Sequence, residues 1–139
     1  MIRRAEVSDL PQLMEMGARF AERARLADHV GYNPADMLAT FKALIWGGHP
    51  VFIGESGAIG ATCTPHPFNS AHIAAQELFW WSEGREGLAL LKALLGHCEE
   101  HTHSLRMITL EAVEPVRTGR LYERLGFKPL EHSYIKVFG

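Results

Sequence analysis

The spacing of apolar residues changes period several times along the chain, and each change predicts an element. Met1 to Ala5 reads as a short strand. Leu10, Leu13, Met14, Met16, Gly17 and Phe20 then recur at helical spacing, which predicts a helix running to about Leu26. Ser8 and Asp9 are candidate caps for it, and Pro11 suits its first turn. Asp28 to Tyr32 reads as a loop. Asn33 and Pro34 open a second helix through Met37, Leu38, Phe41 and Leu44 to Trp46, where Gly47 and Gly48 stop it. Beyond this the pattern is of strand type. Pro50 to Glu55 is a strand, Ser56-Gly57 a candidate hairpin turn, and Ala58 to Thr64 the returning strand. Thr64 to Ser70 carries two prolines and an Asn-Ser pair and predicts irregular backbone. His72 to Trp81 is the next strand, and a helix follows from about Glu86 to His101. Leu105 to Glu111 is a strand, parallel to its predecessor if the helix between them is a crossover. Pro115 opens a last helix through Leu125, closed by Gly126. Phe127 to Pro129 and Ser133 to Phe138 then finish as a hairpin.

This order predicts an α/β (α+β) domain: a mixed, mostly antiparallel central sheet of about six or seven strands flanked by about four helices. At 139 residues the whole chain, 1–139, forms a single domain. A net charge of −2 does not suit a surface that tracks nucleic-acid phosphates, although ten of the fourteen basic residues are Arg and a local patch stays open. No window approaches ~18 uninterrupted apolar residues, so no membrane span is expected. The N-terminus lacks the apolar core of a signal peptide. Two cysteines, Cys63 and Cys98, make no disulfide framework, and a reducing, cytoplasmic setting suits them.

The chemistry concentrates in Gln76 to Leu91, where an aromatic strand breaks at Ser82–Gly84 and a helix begins. Strand, glycine turn and helix together offer free backbone N–H groups at the positive end of a helix dipole, suited to a phosphate; a plain turn has the same look. Simple alternation puts Glu77, Phe79 and Trp81 on one side of the strand and Gln76, Leu78 and Trp80 on the other. Glu77 lies within an otherwise apolar strand, where burial would raise its pKa toward that of a useful base; the alternative is a sheet carboxylate in an ion pair. Separately, His97, Glu100 and His101 match the H-x-x-E-H pattern of inverted zinc proteases, at the end of a helix where such residues are common anyway.

Two motifs carry a family resemblance. Gly84-Arg85-Glu86-Gly87-Leu88-Ala89 is similar to the Q/R-x-x-G-x-G/A loop of the GNAT superfamily of N-acetyltransferases, with Gly84 where Gln or Arg is usual. Leu121-Tyr122-Glu123-Arg124-Leu125-Gly126-Phe127 resembles the superfamily's aromatic-Tyr-x-x-x-Gly-Phe signature, and the element order agrees over nearly the whole chain. The compact form resembles members found in phage and prophage genomes. The resemblance implies acetyl-CoA as co-substrate and no metal. Phe79, Trp80 and Trp81 would lie along the pantetheine arm. The backbone of Gly84, Arg85, Glu86, Gly87, Leu88 and Ala89 would hold the pyrophosphate. Tyr122 would protonate the departing thiolate, and Glu77 would take the amine's proton. Phe20, His29 and Tyr32 would face the acceptor, a small-molecule amine or a protein amino group. On spacing alone Tyr122 reads as a core tyrosine with a bonded hydroxyl, and the acid role comes from the motif. A non-catalytic CoA-binding or partner-binding module, or a homodimer formed through the C-terminal strands, is the alternative use of the same fold.

Overall fold

The computed structural model describes residues 1–139. Five strands form one sheet in the order β1 (Arg3–Arg4), β2 (Val51–Ile53), β3 (Gly57–His66), β4 (Asn69–Ser82) and β5 (Ser104–Arg106). All pairs are antiparallel except β4 and β5, which run parallel across the intervening helix. Helices α1 (Leu10–Arg23) and α2 (Pro34–Trp46) cover one face; α3 (Gly87–His101) and α4 (Pro115–Arg124) cover the other.

Each face has its own core. Leu10, Leu13 and Met16 of α1 and Phe41 and Leu44 of α2 pack on Val51, Ile53, Phe79 and Trp81. Across the sheet, Leu90, Leu91, Leu94 and Cys98 of α3 and Tyr122 of α4 pack on Ile59, Ala61 and Ala75. Asn33 caps α2 as its residue type requires, its side chain accepting from the N–H groups of Ala35 and Asp36. Asp9 stands at the cap position of α1 without capping it. Its carboxylate instead accepts both arms of Arg3 at 2.7 and 2.8 Å and the N–H of Glu6, and the Arg3 hydrogen bond holds its pKa below the usual range.

Several expectations need correction. The predicted irregular stretch Thr64–Ser70 is mostly strand: β3 and β4 continue to a turn at Pro67 and Phe68, with Pro65 opposite Ile73. The outer N–H groups of β3 explain the tolerance of proline. Ala61 donates to the carbonyl of Pro50 and Cys63 to Nδ1 of His49, while β2 pairs no further than Gly60. Pro65 is next on that side, where its missing N–H interrupts no ladder. The β2–β3 turn is centred on Glu55 and Ser56 rather than Ser56 and Gly57, closed by Gly54 N–H donating to the Gly57 carbonyl. The first helix stops at Arg23, with a separate short turn at Leu26–Asp28.

The sheet has five strands rather than six or seven because no C-terminal hairpin forms: nothing after Arg124 is helix or strand. The strand on which it would build, β5, spans three residues. Pro129 can donate no ladder bond. An exposed ion pair between Arg106 and Glu131 ties this segment to β5.

Candidate active site

The site is organised by an extra residue in β4. Gly60 of β3 lies opposite Phe79, but its neighbour Ala61 lies opposite Glu77, so Leu78 is unpaired and bulges outward. A bulge shifts the alternation by one. Phe79 and Trp81 pack on the α1–α2 side, whereas Glu77, opposite a residue of the other core, shares its face with Trp80 and Tyr122. Strict alternation, which grouped Glu77 with Phe79 and Trp81, fails at this point. Gly60 makes room for the irregularity: a Cβ there would come within 2.5 Å of the Phe79 ring.

Beside the bulge, β4 and β5 part. Their pairing ends at Gln76 opposite Arg106, and two side chains take over from the ladder. The N–H of Ile108 donates to the Glu77 carboxylate at 3.2 Å, and the Tyr122 hydroxyl donates to the Ile108 carbonyl at 2.7 Å. One peptide residue is thus held from both sides by the two groups singled out for acid–base chemistry. A cavity of about 180 Å³ opens here, bounded by Glu77, Trp80 and Trp81 of β4, Tyr122 of α4, and Phe20 and Arg23 of α1.

Burial sets the proton affinities. Glu77 is 6% exposed, and desolvation raises its pKa to about 7, outweighing the opposing effect of the Ile108 hydrogen bond. Burial also raises the pKa of Tyr122, and the charge of Glu77 raises it further. The phenol is therefore neutral and a donor at pH 7, while Glu77 exchanges its proton in that range.

The Leu121–Phe127 motif has a local physical reading. Gly126 adopts φ 92°, which terminates α4 in a Schellman arrangement: Phe127 N–H donates to the Tyr122 carbonyl and Gly126 N–H to that of Glu123. The turn folds the Phe127 ring back to 5.5 Å from the Tyr122 ring, with Trp80 at 6.0 Å on the same tyrosine. Gly126→Ala is expected to destabilise the protein by about 1–2 kcal/mol, since a Cβ is disfavoured in that conformation. Urea unfolding of the variant checks this.

The loop from Ser82 to Glu86 is tied on two sides. Arg19 of α1 grips Glu83 with two hydrogen bonds. Glu86 accepts from the N–H groups of Ser56 and Glu55, and the Ser56 bond holds its pKa low. Trp80 Nε1–H donates to the Gly87 carbonyl at 3.1 Å and pins the start of α3. No side chain caps α3, so its first N–H groups, those of Gly87, Leu88 and Ala89, have no capping partner. A Cβ on Gly87 would meet only ordinary contacts, at 3.6 Å and beyond. The fold itself does not demand glycine there, and its absent side chain leaves the helix terminus open to an anion. Arg85, Leu88 and Ala89 are exposed around this terminus.

Of the three residues expected to face the acceptor, Phe20 lines the cavity, its ring 5.2 Å from Trp81. His29 and Tyr32 sit in the α1–α2 connection and do not line it. The His97 and His101 rings lie 4.5 Å apart on α3, tilted by 41°, with Glu100 beside His101, but no group of three or more His, Cys, Asp or Glu is arranged to hold a metal ion, and the zinc-protease pattern is not completed. Ile108, Arg23 and the bulge were not anticipated from the sequence. The faint signal for the bulge is Gly60, a glycine inside a predicted strand.

No family model matches the chain, and no curated protein matches it significantly. Solved structures do. A ribosomal-protein-alanine N-acetyltransferase from Brucella melitensis biovar Abortus 2308 superposes with a TM-score of 0.70 at 18% identity, covering 99% of both chains. A predicted acetyltransferase from Clostridium acetobutylicum, crystallised with acetyl-CoA, gives 0.69 at 12% identity over 99% of this chain and 95% of that one. The fold is that of the GNAT acetyltransferases. A transcriptional regulator from Bacillus halodurans C-125 shares the fold as well, with a TM-score of 0.70 at 22% identity over 99% of each chain. No helix here is long and apolar enough to cross a membrane.

Proposed function

We infer that the protein is an N-acetyltransferase that moves the acetyl group of acetyl-CoA directly to an amine in a ternary complex. The observation that carries this reading is the pair of buried groups, Glu77 and Tyr122, facing one cavity where β4 and β5 part. The open start of α3 suits the pyrophosphate, and the parted strand edge of β4 at Trp80 and Trp81 suits the pantetheine arm. Acetyl-CoA in a GNAT-fold crystal structure supports the same ligand.

Acyl transfer needs an unprotonated amine and a donor for the leaving sulfur. Glu77, with its pKa about 7, accepts the proton that the amine loses as its nitrogen bonds to the acetyl carbon. Tyr122, its hydroxyl turning away from the Ile108 carbonyl, donates its proton to the sulfur as the C–S bond breaks. Glu77 then releases its proton to solvent and the phenol regains one, so the net products are the amide and the free thiol. The two groups are coupled. The charge of Glu77 is one cause of the raised Tyr122 pKa, so protonating Glu77 makes the phenol a better acid when the sulfur departs.

The test is CoA thiol release with a panel of small amines and peptides. Release that needs both acetyl-CoA and an amine is the expected result. Tight acetyl-CoA binding without amine-dependent release would favour the second reading, a CoA-binding or partner-binding module. That reading draws on the exposed apolar residues Leu130, Tyr134, Val137 and Phe138 and on the regulator of the same fold.

A further inference from the structure

Two arginines stand one turn apart on α1 and face different fates. Arg19 is saturated by Glu83, which it holds with two hydrogen bonds. Arg23, four residues on, borders the cavity and makes no ion pair or hydrogen bond of its own. Glu83 feels its charge but is already committed to Arg19. Trp81, which also lines the cavity, keeps its own Nε1–H buried beneath the surface without a partner, so Arg23 is the donor exposed on this side. Arg23 therefore brings to the α1 side of the cavity an exposed guanidinium with no protein oxygen opposite it. The other ionisable group in the wall that can carry charge at pH 7 is Glu77, assigned above to the amine.

We propose that the acceptor is a primary amine that also carries a carboxylate or phosphate, with Arg23 binding the anionic group while the amine lies against Glu77. This rests on the acetyl-transfer reading and narrows its substrate class. The charges fit in one orientation only. The amine nitrogen goes to the carboxylate that takes its proton, and the anion goes to Arg23. Arg suits either anion because its planar fork donates two parallel hydrogen bonds. Phe20, between Arg23 and Trp81 on the same wall, leaves the middle of the acceptor to apolar contact.

Matched amine pairs test this: β-alanine against its amide, and phosphoethanolamine against ethanolamine. The anionic member of at least one pair is expected to have the higher kcat/KM by 10-fold or more. The pair that responds separates carboxylate from phosphate. Arg23→Gln should narrow that ratio roughly 10- to 100-fold, the range of one charge-assisted contact, and Arg23→Lys should restore part of it. The KM for acetyl-CoA should move less than about twofold in both variants, as expected for a contact to the acceptor alone. Equal use of both members of each pair, or an Arg23→Gln effect confined to the acetyl-CoA KM, overturns the assignment while acetyl transfer stands. CoA binding without release by any amine, anionic or neutral, overturns the acetyl-transfer reading itself.

Discussion

Glu77→Gln is expected to yield a protein that is more stable at pH 8 and has lost most of its acetyl transfer. The two effects have one cause. In the unfolded chain this carboxyl titrates near its ordinary 4.5, whereas burial lifts it to about 7 in the fold. Between those values the folded protein holds a proton that the unfolded chain has released. The contribution of this group to stability is therefore greatest at low pH and falls as pH rises through the window. Above pH 7 the full penalty of a buried charge is present. The difference between the two values converts to about 3 kcal/mol. Glutamine keeps the oxygen that accepts from Ile108 and carries no charge. Its gain over wild type should approach that figure at pH 8 and shrink toward zero below pH 4.5, measured by denaturant unfolding at each pH. Other carboxylates, such as Asp9 and Glu86, change stability in acid in the opposite sense, but they cancel in the comparison. For activity, removing a positioned base costs on the order of 10²–10⁴-fold. Wild-type kcat/KM for the amine should rise through a pH of about 7, and that inflection should be absent in the variant. A Glu77→Gln protein with undiminished turnover would remove Glu77 from the mechanism.

Tyr122→Phe is expected to lower amine acetylation by on the order of 10²-fold through loss of the acid. It also strips the Ile108 carbonyl of its donor, at a cost of about 1–2 kcal/mol in stability. The double variant separates chemistry from scaffold. If Glu77 and Tyr122 act as one relay, the combined loss should be far smaller than the product of the single losses, because the second removal takes away a function already disabled. Losses that multiply would mean independent roles, and a Tyr122→Phe protein with full activity would reduce the tyrosine to a packing residue. Stabilities of the four proteins, measured in parallel, show whether the activity changes merely follow unfolding.

Much of this arrangement was legible in the chain because it is locally encoded. Asn33 and Pro34 begin a helix wherever they precede an apolar period of 3.6, and the α3 run Leu90, Leu91, Leu94 has few alternatives to a helix packed on a sheet. The Leu121–Phe127 motif is local too, since Gly126 and Phe127 interact with the turn just before them. What was not legible depends on partners distant in sequence. Nothing in Gln76-Glu77-Leu78-Phe79 marks one residue as surplus; the count is decided by which residues of β3 lie opposite. Alternation was sound on either side of Leu78 and wrong across it. The C-terminal hairpin was predicted from strand-like composition, and β5 proved too short to template it. Arg23 carried no signal because an Arg in the last turn of a helix is the ordinary complement of the dipole.

Ile108 meets Glu77 and Tyr122 through its amide and carbonyl, atoms that nineteen of the twenty residue types supply alike. Evolution can therefore rewrite the side chain at this position without disturbing either contact, and only proline, lacking the N–H, would be refused on that account. A comparison of related sequences would pass over position 108 as unremarkable, although it is the point on which both Glu77 and Tyr122 are registered.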